Sequence, residues 1–590
     1  MKALVPAYAA VVGAALLAVI IGACSGGGSG ANSSASAAGG GAASGASSPA
    51  GASGAGGASS PAGASSPSGA SGASGSNGNG NGSTTAVSNP MDVATWHNDI
   101  ARTGQQLAET VLTPSNVNTT TFGKVGVFNV DGAVDAQPLF LAGVPVAGGT
   151  RNVLYVATEN ANVYAFDADS GAVLWKVSTL GNGESPSDDH GCAQITPNIG
   201  VTATPVIDRS RGPHGAMYVV GMSKDGSGGY HQRIHALDVT TGAELFNGPS
   251  EITASYPGNG AGTQNGQVPF TPGQYAERAA LLLLNGVVYT SWTSHCDFMP
   301  YTGWVIGYNA DTLQQASVLN LTPNGQMGAI WMSGAGPASD GQGIYLLDAN
   351  GTFDPTQNAQ EMPINGNYGN GFLRIDPNPL RVQDYFQASN TVQESNEDED
   401  LGSGGAMVLP DFTDANGVVQ HLAVGAGKNS TIYVVNRVSM GKFDSNADHI
   451  YQELVGQITG PMFAGPAYFN NTVYFGSIGD SIKAFAISNA ALSATPTSKT
   501  ANTFGAPGAT PSISANGNAN GILWAAENGT IAGLRAYDAG NLSRQLYNSG
   551  DTSGRDQFGQ GNKFITPTVA NGKVYVGTKS GVGVFGLLAK

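Results

Sequence analysis

Val153-Leu154-Tyr155-Val156-Ala157-Thr158, Glu159-Asn160-Ala161-Asn162, Val163-Tyr164-Ala165-Phe166-Asp167, Ala168-Asp169-Ser170-Gly171 and Ala172-Val173-Leu174-Trp175 follow one another without a break, and the reading of the fold turns on them. The β-branched and aromatic residues alternate at a period of two, the spacing of a strand that buries one face. Asp167 is placed to close an Asx-type turn, and Gly171 supplies a backbone conformation that other residues resist. The stretch therefore reads as strand, turn, strand, polar turn, strand.

Working outward, the position of Asp167 recurs as Asp238, Asn309, Asp376, Asn436, Ala486, Asp538 and Gly586, which makes eight units with loops of variable length. A second marker, a proline where a strand begins, recurs at Pro138, Pro205, Pro466, Pro511 and Pro567. Proline is tolerated there because an entering residue need not donate to the ladder. Eight such units, each a four-stranded antiparallel sheet set around a common axis, make an all-β, eight-bladed β-propeller. Two smaller β domains are the competing arrangement. The last unit, Val574-Tyr575-Val576-Gly577 to Val584-Phe585, lacks a strand, and Gly123 to Val130 can supply it from the N-terminal side. That closure would remove the exposed edges at the joint of the ring.

Composition agrees: 87 Gly and 30 Pro with 11% charged residues in 590 argue for turns and strands over long helices. Net charge is -16, from 40 acidic and 24 basic residues, and no basic cluster interrupts it. An extended phosphate-binding surface is thereby excluded, and nucleic acid is not an expected partner.

Met1 to Ala23, with Lys2, an apolar run and Ile21-Gly22-Ala23-Cys24, resembles a bacterial lipoprotein signal that leaves Cys24 as the lipid-bearing residue. The length of the apolar run also allows a transmembrane anchor. Ser25 resembles an outer-membrane sorting signal. Residues 25–88 are almost wholly Gly, Ala and Ser, without an aromatic or a charge. Such a segment cannot bury enough apolar surface to order itself and is expected to be a disordered tether spanning ~40–50 Å. The expected organisation is a signal over 1–23, a lipidated cysteine and linker over 24–88, and the propeller over 89–590. The expected setting is the bacterial cell envelope, at its periplasmic face or outer membrane, with the membrane as partner through the N-terminal lipid. Cys192 and Cys296 remain; an oxidising compartment favours a disulfide, but spacing alone leaves pairing and two buried free thiols open.

Ala165-Phe166-Asp167-Ala168-Asp169-Ser170-Gly171-Ala172-Val173-Leu174-Trp175 and the weaker copy Ala236 to Phe246 resemble the repeat of the pyrroloquinoline quinone propellers, over nearly all of residues 90–590. That superfamily includes quinoprotein alcohol dehydrogenases and non-catalytic outer-membrane assembly lipoproteins. The repeat implies the fold, not the activity. The resemblance to the dehydrogenases extends to single positions. Ile330-Trp331-Met332-Ser333 resembles the segment carrying the tryptophan on which the quinone rests. Ile344 to Gly351 is similar to the strand ending in the calcium-binding asparagine, here Asn350. The acidic stretch Asn396 to Leu401 falls where the family has its catalytic aspartate, with Asp400 the best match and a metal ligand as well. Lys428, in Gly425-Ala426-Gly427-Lys428-Asn429, matches a basic residue that contacts the quinone carbonyls.

Each residue type suits the role the resemblance implies. An indole stacks on a planar quinone, and amide and carboxylate oxygens suit Ca²⁺. A carboxylate can take an alcohol proton, and an ammonium can steady a developing oxyanion. The implied activity is a quinone- and calcium-dependent dehydrogenase acting on an alcohol-type substrate. The alternative is a propeller lipoprotein that serves as an envelope binding or assembly scaffold.

Two features depart from the dehydrogenases. The chain has no adjacent cysteine pair, and the loop Met222 to Gly229, where their metal-binding glutamate is expected, offers only Asp225. No Cys-x-x-Cys-His is present for a c-type haem, so an enzyme of this kind needs a separate electron acceptor. Trp292-Thr293-Ser294-His295-Cys296-Asp297 lacks zinc spacing and reads as a structural cysteine or a pocket-lining loop. Trp96-His97-Asn98-Asp99 reads as a segment packed on one end of the propeller, with His97 as ligand the lesser alternative. Asp167 to Gly171 lacks the glutamate of a calcium loop and is assigned to turn formation.

Overall fold

The computed structural model describes residues 89–589, so the signal, Cys24 and the tether lie outside the described residues. Within them eight small, mainly antiparallel sheets form the blades of a propeller, and two further two-stranded ribbons lie at 255–269 and 412–420. Blades 1 to 7 occupy 139–178, 206–251, 275–320, 338–386, 407–454, 467–499 and 512–548. Blade 8 takes three strands from 568–587 and its fourth, Phe122–Asn129, from the other end of the chain. There Phe122 pairs with Leu587 and Asn129 with Gly581, so the ring is closed by the segment whose pattern predicted it.

The markers have structural causes. Each residue equivalent to Asp167 stands at or near the end of the third strand of its blade. Asp167 Oδ1 accepts the N–H groups of Asp169 and Ser170 at 3.0 Å, and Asp238 repeats this with Thr240 and Thr241. The prolines each precede the first strand of a blade, and first strands of neighbouring blades touch one another around the axis. Apolar faces pack between blades: Tyr575, Val582 and Val584 of blade 8 share a core with Phe140, Tyr155 and Phe166 of blade 1 and Val219 of blade 2.

The segment 93–106 runs around the axis and bonds to the start of blade after blade. Val93 exchanges hydrogen bonds with Phe140, and Ala94 O accepts from Ile207 N. Ile100 O accepts from Ser339 N, Ala101 O from Val408 N, Thr103 O from Tyr468 N and Gly104 O from Ile513 N. Arg102 reaches Leu281 O of blade 3 at 3.1 Å, and Trp96 Nε1 donates to Thr566 Oγ1, ahead of blade 8, at 3.3 Å. All eight blades are thus tied to one short plug. Both ring nitrogens of His97 point at carbonyl oxygens, of Arg102 and Pro511, so this histidine is structural and not a ligand. Gly104 is required beside it: its φ is +70°, and a Cβ there would lie 2.6 Å from His97 Nε2.

Candidate functional site

Trp331, Asn350, Asp400 and Lys428 all line one narrow cavity of about 40 Å³, open to solvent at its mouth. They come from the chain ahead of blade 4, the end of its second strand, the chain ahead of blade 5, and the end of the second strand of blade 5.

The walls are held by non-local contacts. After Trp331 the backbone turns left-handed at Met332, Ser333 and Gly334, with φ of 48°, 53° and 88°. Ser333 Oγ then donates to Ser403 O at 2.6 Å, joining the approaches to blades 4 and 5. Cys296, Asp297 and Asp398 are left-handed too. Such strained positions persist where surrounding contacts over-determine them, and they gather at functional sites. Trp331 is half-buried, with Phe463 and Phe564 set edge-on to it at 5.4 and 5.6 Å.

Asp400 is 2% exposed. The Lys428 backbone N–H donates to its carbonyl at 2.9 Å, and Lys428 Nζ lies 2.7 Å from its Oδ1 and 2.6 Å from Asp398 Oδ1. Gly427 permits this approach, since a Cβ there would fall 2.5 Å from Asp400 O. Asn350 Nδ2 donates to Asp398 Oδ1 at 2.8 Å, while its own Oδ1 is buried without a partner. Burial raises the Asp398 carboxyl above the usual carboxylate range, against the pull of Lys428. Asp348, two residues before Asn350, is fully buried with both carboxylate oxygens unpartnered, and burial pushes it well above that range.

The sequence reading passed over Asp297. It lines the same cavity, accepts from Tyr301 Oη at 2.7 Å, and is raised chiefly by burial, with Asp400 and Lys428 near enough to act on it. Its only signal was its place in the Trp292–Asp297 cluster, which does line the pocket. Asp225 is no substitute: it closes an exposed hairpin on blade 2 through Ser227, Gly229 and His231, away from the cavity lining.

Cys192 and Cys296 form a disulfide with Cα atoms 5.6 Å apart, and Cys296 lines the cavity. The bond fastens the long connection between blades 1 and 2 to blade 3 beside Trp331. A second, smaller recess of about 20 Å³ lies against the first, with Gln194, Thr293, Ser294 and Trp331 as common wall. Replacing Cys192 with Ser is expected to lower stability by about 2–4 kcal/mol in denaturant unfolding. Hydrogen exchange in 180–199 should rise with it, because that connection loses its tie to blade 3.

Asn350 Oδ1 and the carboxylates are oxygens of the kind a hard cation takes, and the indole of Trp331 is of the kind on which a flat cofactor stacks. Among the described residues no three His, Cys, Asp or Glu side chains form a metal-binding group. A hard cation would therefore depend on the orphaned Asn350 Oδ1 together with carboxylates such as Asp400 and Asp297. Lys428 already supplies one positive charge to Asp398 and Asp400, so a cation would share them with it. The half-buried indole of Trp331 offers a platform bordering both recesses.

A family model described as outer membrane protein assembly factor BamB matches residues 81–288. No curated protein matches the chain. Among solved structures it is similar to a quinohemoprotein alcohol dehydrogenase from Pseudomonas putida HK5, with TM-score 0.55 and 14% identity over 85% of this chain and 81% of that one. The quinohemoprotein alcohol dehydrogenase of Comamonas testosteroni gives 0.54 and 14% over the same shares. A europium-containing methanol dehydrogenase gives 0.53 and 12%, over 85% of this chain and 98% of that one. At such identities the likeness shows fold. The chain is an eight-bladed propeller that resembles in fold the quinoprotein alcohol dehydrogenases.

Proposed function

We propose that the protein is a quinone- and calcium-dependent dehydrogenase of an alcohol-type substrate. The observation that carries this reading is the convergence of Trp331, Asn350, Asp400 and Lys428 on one open cavity. When bound, the quinone would supply the hydride acceptor and the cation a Lewis acid for its carbonyl. Trp331 is the floor for the planar ring. Asn350 Oδ1 and Asp400 would hold the cation, with Asp297 as a further anionic oxygen. Asp400 takes the hydroxyl proton as general base. Lys428 holds Asp400 by its backbone N–H to the main-chain carbonyl and by its ammonium to the carboxylate, and that ammonium would stabilise negative charge on a carbonyl oxygen.

The setting proposed with it is the cell envelope, reached by export and held by a lipid on Cys24, with electrons passing to a separate acceptor. Among the described residues no helix is long and apolar enough to cross a membrane. A second reading, a scaffold in envelope assembly, is favoured by the assembly-factor match and by the ion triad of Lys428 with Asp398 and Asp400, which already closes on itself without a cofactor.

Titration calorimetry of the apo-protein with pyrroloquinoline quinone in Ca²⁺ separates them. One quinone per chain is expected, with Ca²⁺ removal abolishing tight binding and Trp331→Ala weakening it about tenfold or more. Absence of binding at saturating quinone and Ca²⁺ decides for the scaffold.

A further inference from the structure

The connection between blades 1 and 2 is built as a hairpin with a crossing tip. Its base is part of blade 2: Ser185 and Pro186 pair with Lys224 and Ser223, and Ser187 and Asp188 pair with Ile199 and Asn198. Its tip, 189–197, leaves that sheet and reaches blade 3, where Cys192 is joined to Cys296 and the ring of His190 stacks on His295 with centroids 3.9 Å apart. No residue of the tip is buried. Its backbone is left-handed at His190, Gly191 and Ala193, with φ of 52°, 71° and 56°. Such conformations persist where surrounding ties impose them, and the tie at Cys192 is covalent.

The tip is also part of the wall that the two recesses beside Trp331 share. Gln194 borders both, and Asp189, Cys192 and Ile195 border the smaller one. The rest of the shared wall is firmer: Thr293 and Ser294 belong to the strand Val287–Ser294 of blade 3, and the turn after Trp331 is pinned to Ser403 O by Ser333. With the tip in place the recesses measure about 40 and 20 Å³, little more than water needs. A pocket that takes a cofactor or substrate runs to about 300–1,000 Å³. Anything flat that comes to rest on the indole therefore needs a wall to move, and the tip is the wall without buried residues.

We infer that 189–197 is a lid over the candidate site and that the Cys192–Cys296 disulfide is its latch, opened by a dithiol. Both cysteines are partly exposed, so a thiolate can reach them. It attacks one sulfur and forms a mixed disulfide, from which the second thiol of the reductant displaces the protein sulfur. The dithiol leaves as its own disulfide, and Cys192 and Cys296 take its two electrons and two protons as thiols. The tip then swings on its paired base and widens both recesses at Gln194. What enters rests on the dehydrogenase reading, which supplies the quinone; that the lid opens does not.

The full chain is compared in three states: oxidised, reduced with dithiothreitol and freed of it without air, and as the double variant Cys192→Ser with Cys296→Ser, which has no thiol at the site to react with the quinone. Without quinone, hydrogen exchange of 189–197 should rise in both unlatched states. Acrylamide quenching of Trp331, read as the difference from Trp331→Phe, should rise about twofold or more with it. With pyrroloquinoline quinone and Ca²⁺, the uptake rate should rise about tenfold or more over the latched protein, because loading no longer waits on a closed tip. A disulfide that only steadies the fold would lower the unfolding midpoint and leave Trp331 quenching and uptake rate as they were, and that result overturns the lid. Uptake equally fast in all three states overturns it also, while the dehydrogenase reading stands. Opening at Trp331 with no quinone uptake in any state sinks the dehydrogenase reading and keeps the lid. Should the double variant fail to fold, the reduced protein carries the same comparison.

Discussion

Asp400→Asn is expected to lower dye-linked alcohol oxidation by the quinone- and Ca²⁺-loaded protein by about 10²–10⁴-fold, the range that a positioned general base contributes. The amide keeps the shape of the side chain and loses its basicity. The fold should not suffer, because Lys428 retains Asp398 at 2.6 Å and its backbone bond to the residue-400 carbonyl. The measurement is kcat at saturating Ca²⁺, beside quinone affinity and the unfolding midpoint of the same preparation. A fall in kcat with affinity unchanged assigns Asp400 to proton transfer. A parallel fall in affinity that added Ca²⁺ restores assigns it to the cation instead. Full activity in the variant removes Asp400 from the mechanism.

The parts of this molecule that were legible from the chain are those set by near neighbours. A period of two, an Asx turn at Asp167 and a proline ahead of most inner strands are local constraints, and they recur because each blade solves the same packing problem. Ring closure was legible for a similar reason: Val574 to Phe585 is visibly one strand short, and Phe122–Asn129 has the matching alternation. Trp331, Asn350, Asp400 and Lys428 were found through resemblance, and they meet in space because blades 4 and 5 are neighbours in the ring, which sets their approaches and second strands side by side. What stayed hidden depends on partners far apart in sequence. Asp297 belongs to the cavity because blade 3 faces Asp400, about a hundred residues on. Asp398 matters through its contacts with Lys428 and Asn350, which no spacing announces. Asp225 could not be placed from the chain, because a carboxylate in a glycine-rich loop reads alike whether the hairpin tip faces the axis or the rim. Whether Cys192 and Cys296 pair could not be read for the same reason; the loop that joins them to one wall is long and without period.

Arg102→Met is expected to destabilise the propeller by about 3–5 kcal/mol, the cost typical of breaking a buried, hydrogen-bonded charge network from one side. Arg102 is fully buried. Its Nε donates to Pro337 O at 2.9 Å, Nη1 to Thr95 Oγ1 at 2.8 Å and Trp96 O at 2.9 Å, and Nη2 to Leu281 O at 3.1 Å. Burial lowers its pKa only to about 10, so it stays charged at neutral pH. Methionine fills similar space and removes the cost of desolvating the cation, which offsets part of the loss. It also leaves three carbonyls in a dry interior without donors, at about 1–3 kcal/mol each, and that outweighs the relief. Two of those carbonyls belong to blades 3 and 4, and the third, with the Thr95 hydroxyl, holds the plug in its own turn, so damage should spread around the axis. Hydrogen exchange should accelerate at Ser339, Val408, Tyr468 and Ile513, whose amides bond to the plug, before it does at outer strands. A denaturation midpoint and exchange pattern like those of the unaltered protein would mean that the eight blades hold one another, and that the plug only occupies the space they leave.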